Sequence, residues 1–230
     1  MGAKATTESK KLMRVNVHML TSIRCVVFDV GGVILVEGQD VKNLLIPLVE
    51  RECRYSNKEE IFRRYREASL GLISVKEFWK GISNNYPEIQ SKYLDTCFEV
   101  DPQFFPIVAK LKKKYLLAIL SNDVGEWSKY LRDKYGYNEF FEDIVVSSDF
   151  QSRKPDEKIY RVLIARLKRR EIEPQECILI DDRLKNLKTA KDLGMKTIHF
   201  KREDDGFAFH PDFTIKALGE LQMILLKQAR

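Results

Sequence analysis

The sequence predicts an α/β fold: a doubly wound parallel sheet with a small α-helical block inserted into it. Three observations point there. Short apolar runs alternate with segments of helical periodicity. The stretch 37–101, between the first run and the second, is itself helical in pattern. Acidic, hydroxyl and amide residues stand directly after the apolar runs, where ligands of open α/β sheets are bound.

The predicted strands are Ile23–Phe28, Leu116–Leu120, Ile144–Ser147, Cys177–Ile180 and Lys196–Phe200. Four of these runs are rich in Val, Ile or Leu with little polar alternation, as expected of parallel strands covered on both faces. Helical spacing predicts helices over Phe104–Lys114, Glu126–Tyr135, Glu157–Lys168 and Leu184–Leu193, with a fifth over Ile215–Lys227 after the last strand. Strands alternating with helices in this way require right-handed crossovers and give a doubly wound sheet.

The stretch 37–101 is too long for an unstructured connection. Val41, Leu44, Leu45, Leu48 and Val49 share one helix face, as do Ile61, Phe62, Tyr65 and Ala68, and then Val75, Phe78, Trp79 and Ile82. The expected organisation is a leader over residues 1–20, a core domain from 21–36 and 102–230, and a helical cap over 37–101. Rooted at the carboxyl end of the first strand, such an insertion would lie over a ligand site as a lid.

Composition narrows the class. The chain has 230 residues, 44% of them hydrophobic, and Lys plus Arg exceed Asp plus Glu by 40 to 34, a net charge of +6. A chain of this size buries enough surface to fold without disulfides or a structural metal. Disordered, collagen-like and coiled-coil classes are excluded. The basic excess favours anionic partners, yet it is diluted by acids. Lys112-Lys113-Lys114 and Lys168-Arg169-Arg170 fit solvated helix faces better than a specific nucleic-acid surface. Cys25, Cys53, Cys97 and Cys177 form no CxxC pair, which matches neither a zinc site nor a disulfide framework and points to a reduced, cytoplasmic protein. No apolar run reaches the roughly 18–20 residues of a membrane span. Met1-Gly2-Ala3-Lys4-Ala5-Thr6 fits a myristoylation pattern, although a leader without function explains it more simply.

Four places break the local rules. Asp29 interrupts the apolar run Cys25-Val26-Val27-Phe28-Asp29-Val30-Gly31-Gly32, and a carboxylate enclosed there needs a partner. Its plainer role is to cap a tight turn made by the two glycines. Ser121-Asn122-Asp123 ends the second strand, where the plainer role is an N-cap for the helix starting near Gly125. Lys154 stands before Pro155, Asp156 and Glu157, which places a lysine at a helix-capping position against the positive end of the dipole; anion binding accounts for that placement. Asp181 and Asp182 put two adjacent acids at the end of an apolar strand, where they repel unless a cation or solvent intervenes. Hard oxygen donors beside a phosphate suit Mg²⁺. A nucleophilic carboxylate, a hydroxyl, a lysine and metal-binding acids converging on one sheet edge are the requirements of phosphoryl transfer.

In this order the residues resemble the haloacid dehalogenase (HAD) superfamily, over about residues 22–202. Phe28-Asp29-Val30-Gly31-Gly32-Val33-Ile34 is similar to its first motif and Leu120-Ser121-Asn122 to its second. Arg153-Lys154-Pro155-Asp156 is similar to the third, and Ile180-Asp181-Asp182 with Asn186, Ala190 and Leu193-Gly194-Met195 to the fourth. The inserted helices match the position of the family's cap. The resemblance implies a Rossmann-like core and a Mg²⁺-dependent phosphatase acting on a small phosphorylated metabolite, as a monomer or homodimer. Asp29 and Lys154 would be catalytic, with Asp29 carrying an aspartyl-phosphate. Ser121, Asn122, Lys154 and Gly32 would bind phosphate. Asp29, the Gly31 carbonyl, Asp182 and Asp181 would hold the metal.

One departure stands out. Phosphatases of this superfamily usually carry a second Asp two positions after the nucleophile, as acid and base, where this chain has Gly31. Some members with Gly there are similar to sugar-phosphate phosphatases. Losing an acid–base group costs about 10²–10⁴-fold, so good leaving groups, or an acid borrowed from the cap or substrate, are expected. A catalytically degenerate protein that binds a phosphorylated ligand or partner is the alternative. The metal-independent dehalogenases are a weaker fit, because they carry an aromatic residue at the Gly31 position and have less use for the acidic pair. Phosphoacceptor receiver domains place that pair after the first strand, in a different chain order.

Overall fold

A computed structural model describes residues 22–202 and 206–226. The predicted leader 1–20 and its myristoylation pattern lie outside the described residues. Six parallel strands form one sheet: β1 (Cys25–Phe28), β2 (Leu116–Ser121), β3 (Asp143–Val146), β4 (Cys177–Asp181), β5 (Lys196–Phe200) and β6 (Phe213–Ile215), in the order β3-β2-β1-β4-β5-β6. The winding reverses at β1, so the crevice beside its carboxyl end is the topological switch point.

Between β1 and β2 the chain forms a short π-helical segment, Val41–Leu45, that runs into α1 (Ile46–Cys53), followed by α2 (Lys58–Ser69), α3 (Val75–Trp79), α4 (Tyr86–Thr96) and α5 (Phe104–Leu111). The later crossovers are α6 (Gly125–Tyr135), α7 (Glu157–Lys168) and α8 (Leu184–Asp192). Local chemistry sets the helix starts. Asn57 accepts from Glu60 N at 3.0 Å, and Ser74 with Glu77 closes a reciprocal capping box on α3.

Strand residues alternate between two cores. Val26, Phe28, Ile119 and Ile180 face the layer containing α5, α6 and the inserted helices, whereas Val27, Ala118, Leu120 and Leu179 face α7 and α8. Apolar cover on both faces is what the near-continuous apolar runs anticipated. The inserted helices are anchored by aromatic packing. Trp127 of α6 sits among Tyr65, Phe78, Trp79 and Tyr93, and both Trp79 and Trp127 donate their indole N–H to Gln90 Oε1, at 3.1 and 2.8 Å. Trp79 is therefore a packing residue.

Two expectations are corrected. The helix predicted over Ile215–Lys227 is absent as drawn: Ile215 ends β6, paired with Phe200, and short helical turns follow at Leu218–Glu220 and Gln222–Leu226. Lys227 lies outside the described residues. Leu218, Leu221 and Leu225 are buried at helical spacing, so the periodicity was real while the helix is broken, and a three-residue strand carries no period of its own. The predicted helix Phe104–Lys114 stops at Leu111, with its three lysines in the turn that leads to β2. Among the described residues no helix is long and apolar enough to cross a membrane.

Candidate active site at the switch point

The strand register brings the predicted residues together. Phe28 is level with both Ile119 and Ile180, and Asp29 N donates to Ile180 O at 2.9 Å, so Asp29 leaves β1 beside Asp181. Between them lies Lys154. Its ammonium is 2.9 Å from Asp29 Oδ2 and 2.7 Å from Asp181 Oδ2, and the lysine is 4% exposed.

Lys154 does not cap a helix, contrary to the sequence expectation. The N-cap of α7 is Asp156, whose carboxylate accepts from Lys158 N at 2.8 Å, and the Lys154–Pro155 peptide is cis. The lysine is held by Asn122 instead. Asn122 Oδ1 accepts from Lys154 N at 2.7 Å and Asn122 Nδ2 donates to Lys154 O at 2.9 Å. Both ends of the Asn122 amide are thus engaged, which removes its side chain from the expected phosphate-binding set and makes it the clamp on the Lys154 loop.

Gly32 also changes role. Its N–H donates to Glu37 O at 3.0 Å and its carbonyl accepts from Arg202 Nε at 2.7 Å, so neither backbone group is free for phosphate. It has φ +72°, and a Cβ there would stand 2.6 Å from Asp182 Oδ2, so glycine is required both for the turn and for the approach of Asp182. Gly38 meets the same oxygen, at 2.5 Å from an added Cβ. Gly31 lines the cleft with an ordinary backbone and has room: a Cβ would be 3.5 Å from Glu37 O. Ser121 is buried at the end of β2, and its hydroxyl has no protein hydrogen-bond partner among the described residues. The N-cap alternative for this segment fails, because α6 begins without a side-chain cap and, among the described residues, the Asp123 carboxylate accepts only from the adjacent Val124 N, at 2.7 Å.

The two adjacent acids differ. Asp181 is fully buried and accepts from Lys154 Nζ, from Arg183 N at 2.9 Å and from Asn186 Nδ2 at 2.9 Å. Asp182 lines the cleft, 4.0 Å from Arg183 Nε. Oxygens of Asp29, Asp181 and Asp182 all lie within 4.8 Å of one another. Burial pushes Asp29 well above the ordinary carboxylate range, Asp181 and Asp182 add to that, and Lys154 opposes it. Burial, then Asp181, pushes Asp182 up to about 7. Burial alone would lower Lys154, but Asp181 and Asp29 outweigh it and hold the amine protonated. One ammonium cannot stabilise three ionised carboxylates, so burial and mutual repulsion raise Asp29 and Asp182, and a hard dication bound by their oxygens would favour the ionised forms instead. The Asn186 Oδ1 atom beside them is buried without a partner, a further unsatisfied oxygen.

The cleft encloses about 710 Å³, within the range of small-molecule sites. Besides Asp29, Gly31, Lys154 and Asp182 it is lined by Asp40, Phe62, Tyr65, Arg66 and Arg153. Phe62 was placed on a helix core face by its spacing, yet it is 44% exposed at this mouth. Asp40, which no sequence signal marked, accepts from Tyr93 Oη at 2.8 Å, and burial raises its carboxyl. Nearby Asp123 is pushed up to about 8 by burial, with Asp40 adding to it.

Solved structures share the architecture. A HAD phosphatase from Thermococcus onnurineus superposes with a TM-score of 0.69 at 24% identity, covering 89% of this chain and 98% of that one. A HAD family enzyme from Bacteroides thetaiotaomicron, in complex with magnesium and inorganic phosphate, superposes at 0.66 with 23% identity, covering 82% and 100%. In sequence, the chain is 32% identical over 105 residues to a glyceraldehyde 3-phosphate phosphatase from Methanocaldococcus jannaschii, a match covering 43% of this chain and 42% of that protein's length. The family model for haloacid dehalogenase-like hydrolases matches residues 23–194, and the chain belongs to that family.

Proposed function

We propose that this hydrolase is a Mg²⁺-dependent phosphatase of a small phosphorylated metabolite. The observation that carries the reading is the Lys154 ammonium bridging Asp29 and Asp181 beside Asp182, at the crevice where the sheet reverses. Similarity to a glyceraldehyde 3-phosphate phosphatase and to a fold neighbour holding magnesium and phosphate supports it.

The chemistry follows from the residues. An Asp29 oxygen attacks phosphorus, the ester P–O bond breaks, and the phosphoryl group passes to the carboxylate as an aspartyl-phosphate; water then displaces it as phosphate. Lys154 holds the Asp29 carboxylate in place and offsets charge on the phosphoryl oxygens, while the Ser121 hydroxyl donates to one of them. Asp29, Asp182 and the Gly31 carbonyl would hold Mg²⁺, with Asp181 behind them fixing Lys154. The bound dication supplies charge neutralisation, so that an anionic nucleophile can meet an anionic ester. Gly31 offers no proton to the departing oxygen. Asp40, whose carboxyl burial raises in the same cleft, would be the borrowed acid. In this reading residues 37–101 act as the cap over a core of 21–36 and 102–230, and the four unpaired cysteines suit a cytoplasmic enzyme.

The test is phosphate release from aryl, acyl and sugar phosphates, with and without Mg²⁺, against Asp29→Asn. Release that requires both Mg²⁺ and Asp29 is expected. A folded protein that binds phosphate analogues yet releases nothing would replace this reading with a catalytically degenerate binding protein, which the glycine at position 31 favours.

A further inference from the structure

The cleft contains a second set of cations that the phosphoryl-transfer residues do not use. On α2, Arg63 pairs with Glu60 and Glu67, and Arg64 pairs with Glu60. Arg66, on the same helix, lines the cleft and has no ion-pair partner among the described residues. Facing it from the core is Arg153, next in chain to Lys154. Its guanidinium lies 5.7 Å from the centre of the Tyr65 ring and donates to Ser69 Oγ, and it too lacks a carboxylate partner among the described residues. The two guanidinium groups are close enough that Arg66 helps to depress the Arg153 pKa, after the larger effect of burial.

Two unpaired arginines converging in one half-enclosed cleft repel each other unless an anion lies between them. The nearby acids do not take that place. Asp40 is bound by Tyr93 and Asp123 by Val124 N, and burial holds both towards the protonated form. Asp156, at the cleft rim, caps α7. Lys154 cannot serve a second anion, because Asp29 and Asp181 hold its ammonium.

We propose that Arg66 and Arg153 form a second anion site in the cleft, so that the substrate is a phosphate monoester bearing a further carboxylate or phosphate group. This rests on the phosphatase reading for the reaction but on its own residues for the binding. A planar guanidinium pair suits either anion, since both accept two parallel N–H bonds. The cavity of about 710 Å³ accommodates a three-carbon or six-carbon ester with its two charged ends apart. Arg66 belongs to the inserted helices, Arg153 to the core, and Arg153 already reaches Ser69 at the end of α2, so an anion between them draws the two parts together.

The test uses Asp29→Asn protein with Mg²⁺, in which binding is read without turnover. Calorimetry compares 3-phosphoglycerate with glycerol 3-phosphate, which differ at the end remote from phosphate, and fructose 1,6-bisphosphate with fructose 6-phosphate. At least one doubly anionic ligand is expected to bind about tenfold or more tighter than its singly anionic match, and that advantage should shrink to about threefold or less with Arg66→Gln or Arg153→Gln. The preferred pair distinguishes a carboxylate from a phosphate. Arg66 is exposed, so its replacement leaves folding intact even where Arg153→Gln does not. Equal affinity within both pairs would overturn the site, as would an advantage that survives Arg66→Gln. If discrimination holds while wild-type protein hydrolyses neither ester, the phosphatase reading fails and the anion site stands.

Discussion

Two groups of enclosed carboxylates lie at and beside the cleft; burial raises acids in both, and what differs is their partners. Asp29 and Asp181 pair with Lys154 and Asp182 lies beside them, so a cation stands among these acids at the sheet edge. Asp40 and Asp123 lie under the inserted helices, with a phenol and a backbone N–H as their hydrogen-bond donors and no cation at ion-pair distance among the described residues. In the first group the Lys154 ammonium opposes the upward push of burial on Asp29, and in the proposed reaction these oxygens would hold a metal beside a phosphoryl group. In the second no cation at ion-pair distance among the described residues opposes burial, which raises both acids. The residue type is the same in both, and the neighbours decide the chemistry.

That contrast can be broken at its strong end first. Asp29→Asn should lower phosphate release by about 10⁴-fold or more, because the nucleophile is lost. Lys154→Met should cost about 10²–10³-fold, as an electrostatic contact to the phosphoryl group is removed and Asp181 is left buried without its cation. On the other side of the cleft the effect should be smaller. Asp40→Asn should cost about 10–100-fold on alkyl phosphates and much less on aryl phosphates, whose leaving groups need no proton. Steady-state kcat on matched alkyl and aryl esters reads all three.

Gly31→Asp sharpens the comparison by restoring an acid next to the nucleophile. An added Cβ makes only ordinary contact there, so the protein should fold and gain about tenfold on alkyl over aryl substrates. Equal rates for the two ester classes in wild-type protein would show that the missing Asp is of no consequence.

The smallest effect is on stability. Asp123 keeps its proton up to about pH 8 in the folded chain but loses it near pH 4 when unfolded. Between those values the folded state binds more protons, so stability falls as pH rises and levels off above about 8. Without divalent cations, Tm should therefore decline from pH 5 to pH 8. In Asp123→Asn that decline should be shallower, and the difference isolates this group from Asp29 and Asp182, which contribute with the same sign.

Much of the architecture was legible because apolar runs covered on both faces are hard to mistake, and because polar residues at strand ends violate that pattern visibly. Asp29, Lys154, Asp181 and Asp182 were marked for this reason, and the register brings them together. Asn122 and Gly32 have structural tasks that their motif positions did not reveal. Motif position cannot tell a group that faces a ligand from one that shapes its neighbour, and the clamp on the Lys154 peptide and the contact with Asp182 exist only in three dimensions. Asp40 went unnoticed because an acid just before a helical turn reads as an ordinary cap, and Arg66 because it resembles its charged neighbours on a polar helix face. Only the cleft distinguishes Arg66 from Arg63 and Arg64. β6 was missed because three residues carry too little pattern to compete with the leucine spacing that follows.

The most direct test of the central claim is to quench wild-type protein in acid during turnover of an aryl phosphate with Mg²⁺ and locate added phosphate by mass spectrometry. With Gly31 in place of a base, water attacks the intermediate slowly. The account therefore predicts phosphate on Asp29, formed in a burst that nears one per chain. Steady phosphate release with Asp29 unmodified at every time, or phosphate on another residue, would contradict it.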